Sequence, residues 1–109
     1  MNYLVVDFEF TFYKRPVGRP RTFFPEIIEV GAVKLTGEHS NECGKLQSFV
    51  KPHFFPKHAK DAMDFCMITD ADMKKAITFP VMLKKLSAMY KAEQTFFVAW
   101  GDADYKVLN

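Results

Sequence analysis

The sequence is poor in cysteine and has no long apolar run. Its two cysteines, Cys43 and Cys66, show no Cys-x-x-Cys spacing, and such usage is typical of reduced structural thiols in a cytosolic protein. No apolar stretch approaches the roughly 20 residues that a membrane-spanning helix needs. The first residues also lack the pattern of a secretory signal. We therefore expect a cytoplasmic protein.

An excess of either charge is also missing. The net charge of the 109 residues is only +2, so the overall charge does not indicate a partner. We find no internal repeat and no low-complexity segment. The chain is 49% hydrophobic, with twelve phenylalanines, and 26% charged, which predicts a globular chain that forms one small domain or part of a larger one.

The most informative segment runs from Tyr3 to Thr11 and carries two acids among apolar, β-branched and aromatic residues. It predicts a central strand that is buried on both faces near its start. Strand side chains alternate, so Asp7 and Glu9 share one face, about 6.6 Å apart along the strand. Two like charges on such a face need neutralisation, which a hard divalent cation such as Mg²⁺ provides. A solvated strand end is the alternative.

A basic segment follows this strand. Between Phe12 and Phe24 lie Lys14, Arg15, Arg19 and Arg21, and no acid occurs between Glu9 and Glu26. A positive loop beside an acidic metal site suits a polyanionic substrate such as a nucleic acid. A solvated flexible loop remains the alternative.

The rest of the chain predicts an α/β sheet. The predicted elements are strand two at 26–35, a turn at 36–44, strand three at 46–51, a helix at 57–67, a helix capped by Thr69 and Asp72, a helix opening at Thr78, and strand four at 95–100. Short links predict that the first three strands are antiparallel, and the helical crossover allows strand four to lie parallel beside strand one. Gly31 suggests a bulge or a close approach in strand two.

Two further acids, Asp102 and Asp104, follow strand four. Acids after a strand are often ordinary helix caps. If strand four neighbours strand one, however, a carboxylate delivered here could meet Asp7 and Glu9. The sequence leaves both interpretations open.

Three segments, D-F-E-F-T at 7–11, F-F-P-E-I-I-E-V-G-A-V at 23–33 and W-G-D-A-D-Y-K-V-L at 100–108, together resemble the DEDDh 3′→5′ exonucleases, especially those that trim RNA 3′ ends. The resemblance implies an RNase H-like fold, with antiparallel strands one to three, parallel strand four and helices packed on the mixed sheet. It also implies hydrolysis of the terminal phosphodiester of single-stranded nucleic acid, RNA favoured, to nucleoside monophosphates with two Mg²⁺ or Mn²⁺ ions.

The resemblance also assigns roles to particular residues. Asp7 and Glu9 match the first motif of the family, and Asp104 matches the carboxylate of the second, with Asp102 a lesser candidate. All three acids would be catalytic metal ligands. By analogy, the substrate-binding residues would be Phe10, Thr11, Arg15, Arg19 and Arg21.

The chain departs from the family at the third motif, which supplies a histidine base and a last metal-binding Asp. His39, His53 and His58 do not match that motif. We therefore expect residues 1–109 to be the N-terminal part of a single exonuclease domain, without its final strand and helices. Such a chain would be impaired in activity and would associate through exposed core surface. The alternatives are a non-catalytic nucleic-acid-binding or regulatory module, for example in sporulation control, and another RNase H-like enzyme such as an endonuclease.

Overall fold

The structure, a computed structural model, describes residues 2–12, 24–37, 41–54, 56, 59–90 and 95–99. Its elements are β1 (Asn2–Phe10), β2 (Ile27–Thr36), β3 (Asn41–Phe49), α1 (Lys60–Phe65), α2 (Asp70–Lys74), α3 (Phe79–Tyr90) and β4 (Thr95–Ala99). Within these ranges, no helix is long and apolar enough to cross a membrane.

The four strands form one mixed sheet in the order β3-β2-β1-β4. β1 is antiparallel to β2, and β2 is antiparallel to β3. β4 runs parallel to β1, with Tyr3 paired with Phe96 and Val5 with Val98. A parallel neighbour requires a crossover connection, which the helical segment between β3 and β4 supplies. The predicted mixed sheet and its strand directions are therefore confirmed.

One face of β1 forms the main core. Leu4, Val6 and Phe8 are buried there, and α3 covers them with Met82 and Leu86. The opposite face is more open, since Val5 is 40% exposed and Asp7 is exposed. The expectation that β1 is buried on both faces is therefore wrong. The strand is central in the sheet, but α3 packs on one face of it.

A second, smaller core cluster consists of Ile28, Ala62 and Ile68. It exists because β2 contains a bulge: Glu9 pairs with Glu29 and Phe10 with Ile27, which leaves Ile28 as the extra residue. The bulge lets Ile27 enter the main core while Ile28 enters the second cluster.

The bulge was expected at Gly31, and that position is wrong. Gly31 pairs regularly with Asp7 in the ladder. Among the described residues, no atom except those of its chain neighbours lies within 4 Å of the position that a Cβ would occupy on Gly31, so these residues show no close approach there either. The two adjacent isoleucines, which must reach two different clusters, determine where the ladder shifts.

Other predicted boundaries also move. β3 begins at Asn41, which pairs with Thr36, although 41–44 was predicted to be part of a turn. Gly37 turns the chain with a φ of 79°, and backbone pairing overrides the turn-forming residues that follow. α1 runs over Lys60–Phe65, so it begins after Ala59 and ends before Met67, where the helix was predicted to end; residues 57 and 58 lie outside the described residues.

The cap of α2 is confirmed in detail. The Asp72 N–H donates to the Thr69 hydroxyl at 3.1 Å, and the Thr69 N–H donates to the Asp72 carboxylate at 3.0 Å. These two bonds form the reciprocal capping box that the sequence predicted.

Candidate functional site

The two acids of β1 lie on the face of the strand that points away from the main core. Asp7 is exposed and Glu9 is half-buried, while their neighbours Val6 and Phe8 are buried on the other face. Asp7 lies opposite Gly31, whose missing side chain leaves open space beside the carboxylate. The structure thus brings the two predicted ligands together on an accessible face.

A third carboxylate lies beside them. Glu29 pairs directly with Glu9 across β1 and β2 and is half-buried. Partial burial raises the pKa of Glu29, and the nearby charges of Glu9 and Asp7 raise it further. Our sequence interpretation did not assign Glu29 to the site. Pairing strands one and two in the antiparallel register would have identified Glu29, because this register places it opposite Glu9.

The Cys66 thiol also belongs to this face. Its Sγ donates a hydrogen bond to Glu9 Oε2 at 3.4 Å, between residues that are 57 positions apart in the chain. Burial raises the pKa of Cys66 to about 11, and the bond to Glu9 adds to the shift. The thiol therefore stays protonated at neutral pH and remains a donor. Nothing in the spacing of the sequence indicates this contact.

Phe10 and Thr11 have structural contacts of their own. Phe10 packs against the main core. Thr11 is fully buried, and its hydroxyl accepts a hydrogen bond from the Glu26 N–H at 2.9 Å. Its own N–H donates to the Glu26 carbonyl at 2.9 Å. Their contact with a terminal nucleotide stays a prediction.

The segments that flank the basic stretch are tied to the sheet. The Glu26 carboxylate accepts hydrogen bonds from the N–H groups of His53 and Phe54, at 2.7 and 3.0 Å. Phe12, at the other end, packs against the second core cluster. These contacts fix Phe12 and Glu26, which flank the basic stretch in the sequence; the stretch itself lies outside the described residues.

Several predicted site residues lie outside the described residues. They are Arg15, Arg19, Arg21, Asp102 and Asp104, together with Lys14, His39 and His58. Their roles stay predictions.

The described acids fit a divalent cation in kind, because carboxylate oxygens are the ligands that Mg²⁺ and Mn²⁺ prefer. In the part of the chain that the structure describes, no group of three or more His, Cys, Asp or Glu residues is arranged to hold a metal. A cation held by Asp7 and Glu9 would therefore need donors beyond the described residues.

Comparison with known proteins decides the family. Residues 4–109 match the RNase T family model, described as exonuclease. The chain belongs to this exonuclease family. It is similar to a protein of Bacillus subtilis (strain 168) named "Probable 3′-5′ exonuclease KapD", with 36% identity over 108 residues. The match covers 97% of this chain and 50% of KapD, so this chain spans about half the length of this curated relative.

Solved structures agree. The nuclease domain of 3′hExo, a DEDDh family member bound to rAMP, has a TM-score of 0.78 at 26% identity, covering 99% of this chain and 56% of that one. The 3′-exonuclease that recognises a histone mRNA stem-loop has a TM-score of 0.74 at 26% identity, with 94% and 37% covered. Escherichia coli exonuclease I, at 17% identity and a TM-score of 0.70 over 97% of this chain and 22% of that one, shows the shared fold alone. The RNase H-like fold and the resemblance to DEDDh exonucleases are confirmed.

Proposed function

We propose that residues 1–109 form the N-terminal part of a single exonuclease domain that removes nucleotides in the 3′→5′ direction from single-stranded nucleic acid. The observation that carries the proposal is the pair Asp7 and Glu9 on the open face of β1, in a chain that matches the exonuclease family over 4–109. RNA is the favoured substrate, because the structural relatives include a nuclease bound to rAMP and one that recognises an mRNA stem-loop.

Asp7, Glu9 and Asp104 would hold two divalent ions, Mg²⁺ or Mn²⁺. When bound, such ions activate a water for attack on the terminal phosphodiester and stabilise the leaving oxygen. The chain itself supplies the carboxylates on a rigid central strand. It also leaves space beside Asp7, where Gly31 has no side chain.

The substrate strand would lie along the same side of the sheet. Arg15, Arg19 and Arg21 would contact its phosphates, because they follow β1 directly in a stretch without acids. The 3′-terminal nucleotide would lie at the end of β1, where Phe10 and Thr11 would border it; Phe10 packs against the main core there and Thr11 is buried.

A non-catalytic nucleic-acid-binding module is the second candidate. One observation favours it: Lys14, Arg15, Arg19 and Arg21 lie between Glu9 and Glu26 without an acid among them, a pattern that suits binding of a polyanion. Such a module would bind RNA without cutting it.

The test incubates the 109-residue chain with 5′-labelled single-stranded RNA and Mn²⁺. Asp7→Asn removes a proposed ligand, and Asp61→Asn, an exposed acid of α1, is the matched control. We expect a slowly formed ladder, because this chain would be impaired in activity; the ladder shortens from the 3′ end, persists with Asp61→Asn, and disappears with Asp7→Asn or a chelator. RNA that is bound but uncut would support the binding module, and RNA that is neither cut nor bound would contradict both candidates. Cleavage of a circular RNA would indicate an endonuclease.

A further inference from the structure

The hydrogen bond from Cys66 to Glu9 is not used by the proposed function. It joins the end of α1 to the central strand, with Sγ and Oε2 3.4 Å apart. Cys66 is not a metal ligand in the proposed site, and its side chain does not need to touch the substrate. Its contact is with the Glu9 carboxylate, which is a cation ligand in the proposed site.

Backbone hydrogen bonds fix the position of Cys66. It is the residue that ends α1, and its N–H donates to the Ala62 carbonyl at 2.9 Å. The Ile68 N–H donates to the Met63 carbonyl at 2.8 Å, and Met67 between them adopts a φ of 57°. This combination is a Schellman-type end of a helix, which defines the path of the chain on both sides of the thiol.

Packing fixes the same residue from the sheet side. Cys66 packs against the second core cluster, in which Ile28 of the β2 bulge meets Ala62 and Ile68. The bulge lies immediately next to Glu29, the cross-strand partner of Glu9. The cluster therefore packs Cys66 against β2, the strand that pairs with β1 and so with Glu9.

The surroundings of Glu9 explain why a donor matters there. Asp7 lies two residues away on the same strand face, and Glu29 lies directly opposite. Both neighbours are carboxylates, which repel Glu9 and favour conformations that point away from them. A glutamate has three side-chain torsions to order before it can bind a cation. A hydrogen bond at Oε2 orders them, and because a carboxylate has about four acceptor positions, it leaves capacity for a metal.

We propose that Cys66 is a positioning residue, which holds the Glu9 carboxylate in the orientation that binds a divalent cation. This inference rests on the proposed function, because it assumes that Glu9 is a metal ligand. It extends that function because Cys66, at the end of α1, would help to orient a metal ligand on β1. Partners of metal ligands typically contribute about 10–100-fold to metal affinity, and a thiol, as a weak donor, belongs at the lower end.

The test measures Mn²⁺ binding by the full 109-residue chain and three variants. Cys66→Ala removes the donor, Cys66→Ser keeps a donor of similar size, and Cys43→Ala, an exposed cysteine on β3, is the matched control. We expect Cys66→Ala to weaken Mn²⁺ binding about 10-fold, while Cys66→Ser and Cys43→Ala stay close to wild type. Thermal unfolding of each variant shows that the fold is kept.

A second readout needs no metal. Three-bond NMR couplings across the χ1 and χ2 torsions of Glu9 report its side-chain conformation. We expect values of a single conformer in the wild type and in Cys66→Ser, and averaged values in Cys66→Ala. Unchanged couplings in Cys66→Ala would overturn the inference, and so would unchanged Mn²⁺ affinity. A third outcome is that the wild-type chain does not bind Mn²⁺, although the Glu9 couplings still change in Cys66→Ala. That result would contradict the metal site of the proposed function.

Discussion

Glu9 and Glu29 face each other across β1 and β2, on the open face of the central strand. Asp7 lies two residues from Glu9 on the same face. Three carboxylates therefore occupy a small area of a folded sheet, where like charges oppose folding. A divalent cation bound by Asp7 and Glu9, as the proposed function has it, would offset this repulsion.

The first prediction concerns the charge of Glu29. Its pKa is raised above the usual 4.5 in the folded protein, chiefly by burial and then by Glu9 and Asp7. Folding is therefore favoured when Glu29 is protonated, and this contribution is complete below the unfolded pKa and lost as pH rises through the folded pKa. We expect Glu29→Gln to raise the free energy of unfolding at pH 7 by about 0.5 kcal/mol, and to change it little at pH 4.

Urea unfolding between pH 4 and pH 8 checks this prediction. Glu42→Gln, an exposed glutamate on β3, is the matched control and should show no such pH dependence. Equal or lower stability of Glu29→Gln than wild type at pH 7 would contradict the account of this cluster.

The second prediction concerns the capping box of α2. The pKa of Asp72 is lowered, first by the Thr69 N–H and then by the Thr69 side chain. Its stabilising effect is present above the usual pKa of 3.8 and is lost as pH falls through the lower folded value. We expect Asp72→Ala to speed amide exchange in α2 at pH 7, and to differ less from wild type near pH 2.

Asp70→Ala, in the same first turn but outside the capping box, is the control and should have a smaller effect. Thr69→Ala removes the other half of the box and should cost about 1 kcal/mol. Equal amide exchange in Asp72→Ala and Asp70→Ala would show that the box does not stabilise α2.

The third prediction concerns the buried hydroxyl of Thr11. Thr11→Val keeps the shape of the side chain but removes the acceptor for the Glu26 N–H. We expect a loss of about 1 kcal/mol in the free energy of unfolding, whereas Thr11→Ser, which keeps the hydroxyl, should lose less. Chemical denaturation measures both. A Thr11→Val variant as stable as wild type would show that this bond contributes nothing to the end of β1.

Local patterns in the sequence predicted most of the fold. Alternation and short links predicted the antiparallel strands, and the helical crossover before Thr95 predicted the parallel pairing of β4. The start of β3 was missed because Asn41 and Gly44 favour turns, yet the ladder with β2 extends through them. Tertiary pairing commonly overrides such propensities. The bulge at Ile28 was placed at Gly31 because glycine is the usual local signal.

The site was only partly predictable. The shared face of Asp7 and Glu9 follows from strand alternation alone, and the position of Glu29 opposite Glu9 follows once the register of β1 and β2 is known. The Cys66 contact joins residues 57 positions apart and depends on how α1 ends over the sheet. No local pattern encodes that placement. Asp104 rests on the resemblance to the family.

The most direct test of the account locates a paramagnetic cation on the folded chain. Substoichiometric Mn²⁺ broadens the NMR signals of nearby amides. We expect broadening of residues 6–10 of β1 and of Glu29 to Ala32 on the neighbouring strand, but not of Asn41 to Lys45 on β3, and we expect Asp7→Asn to abolish it. Broadening centred elsewhere, or broadening that persists in Asp7→Asn, would contradict a metal site built on β1.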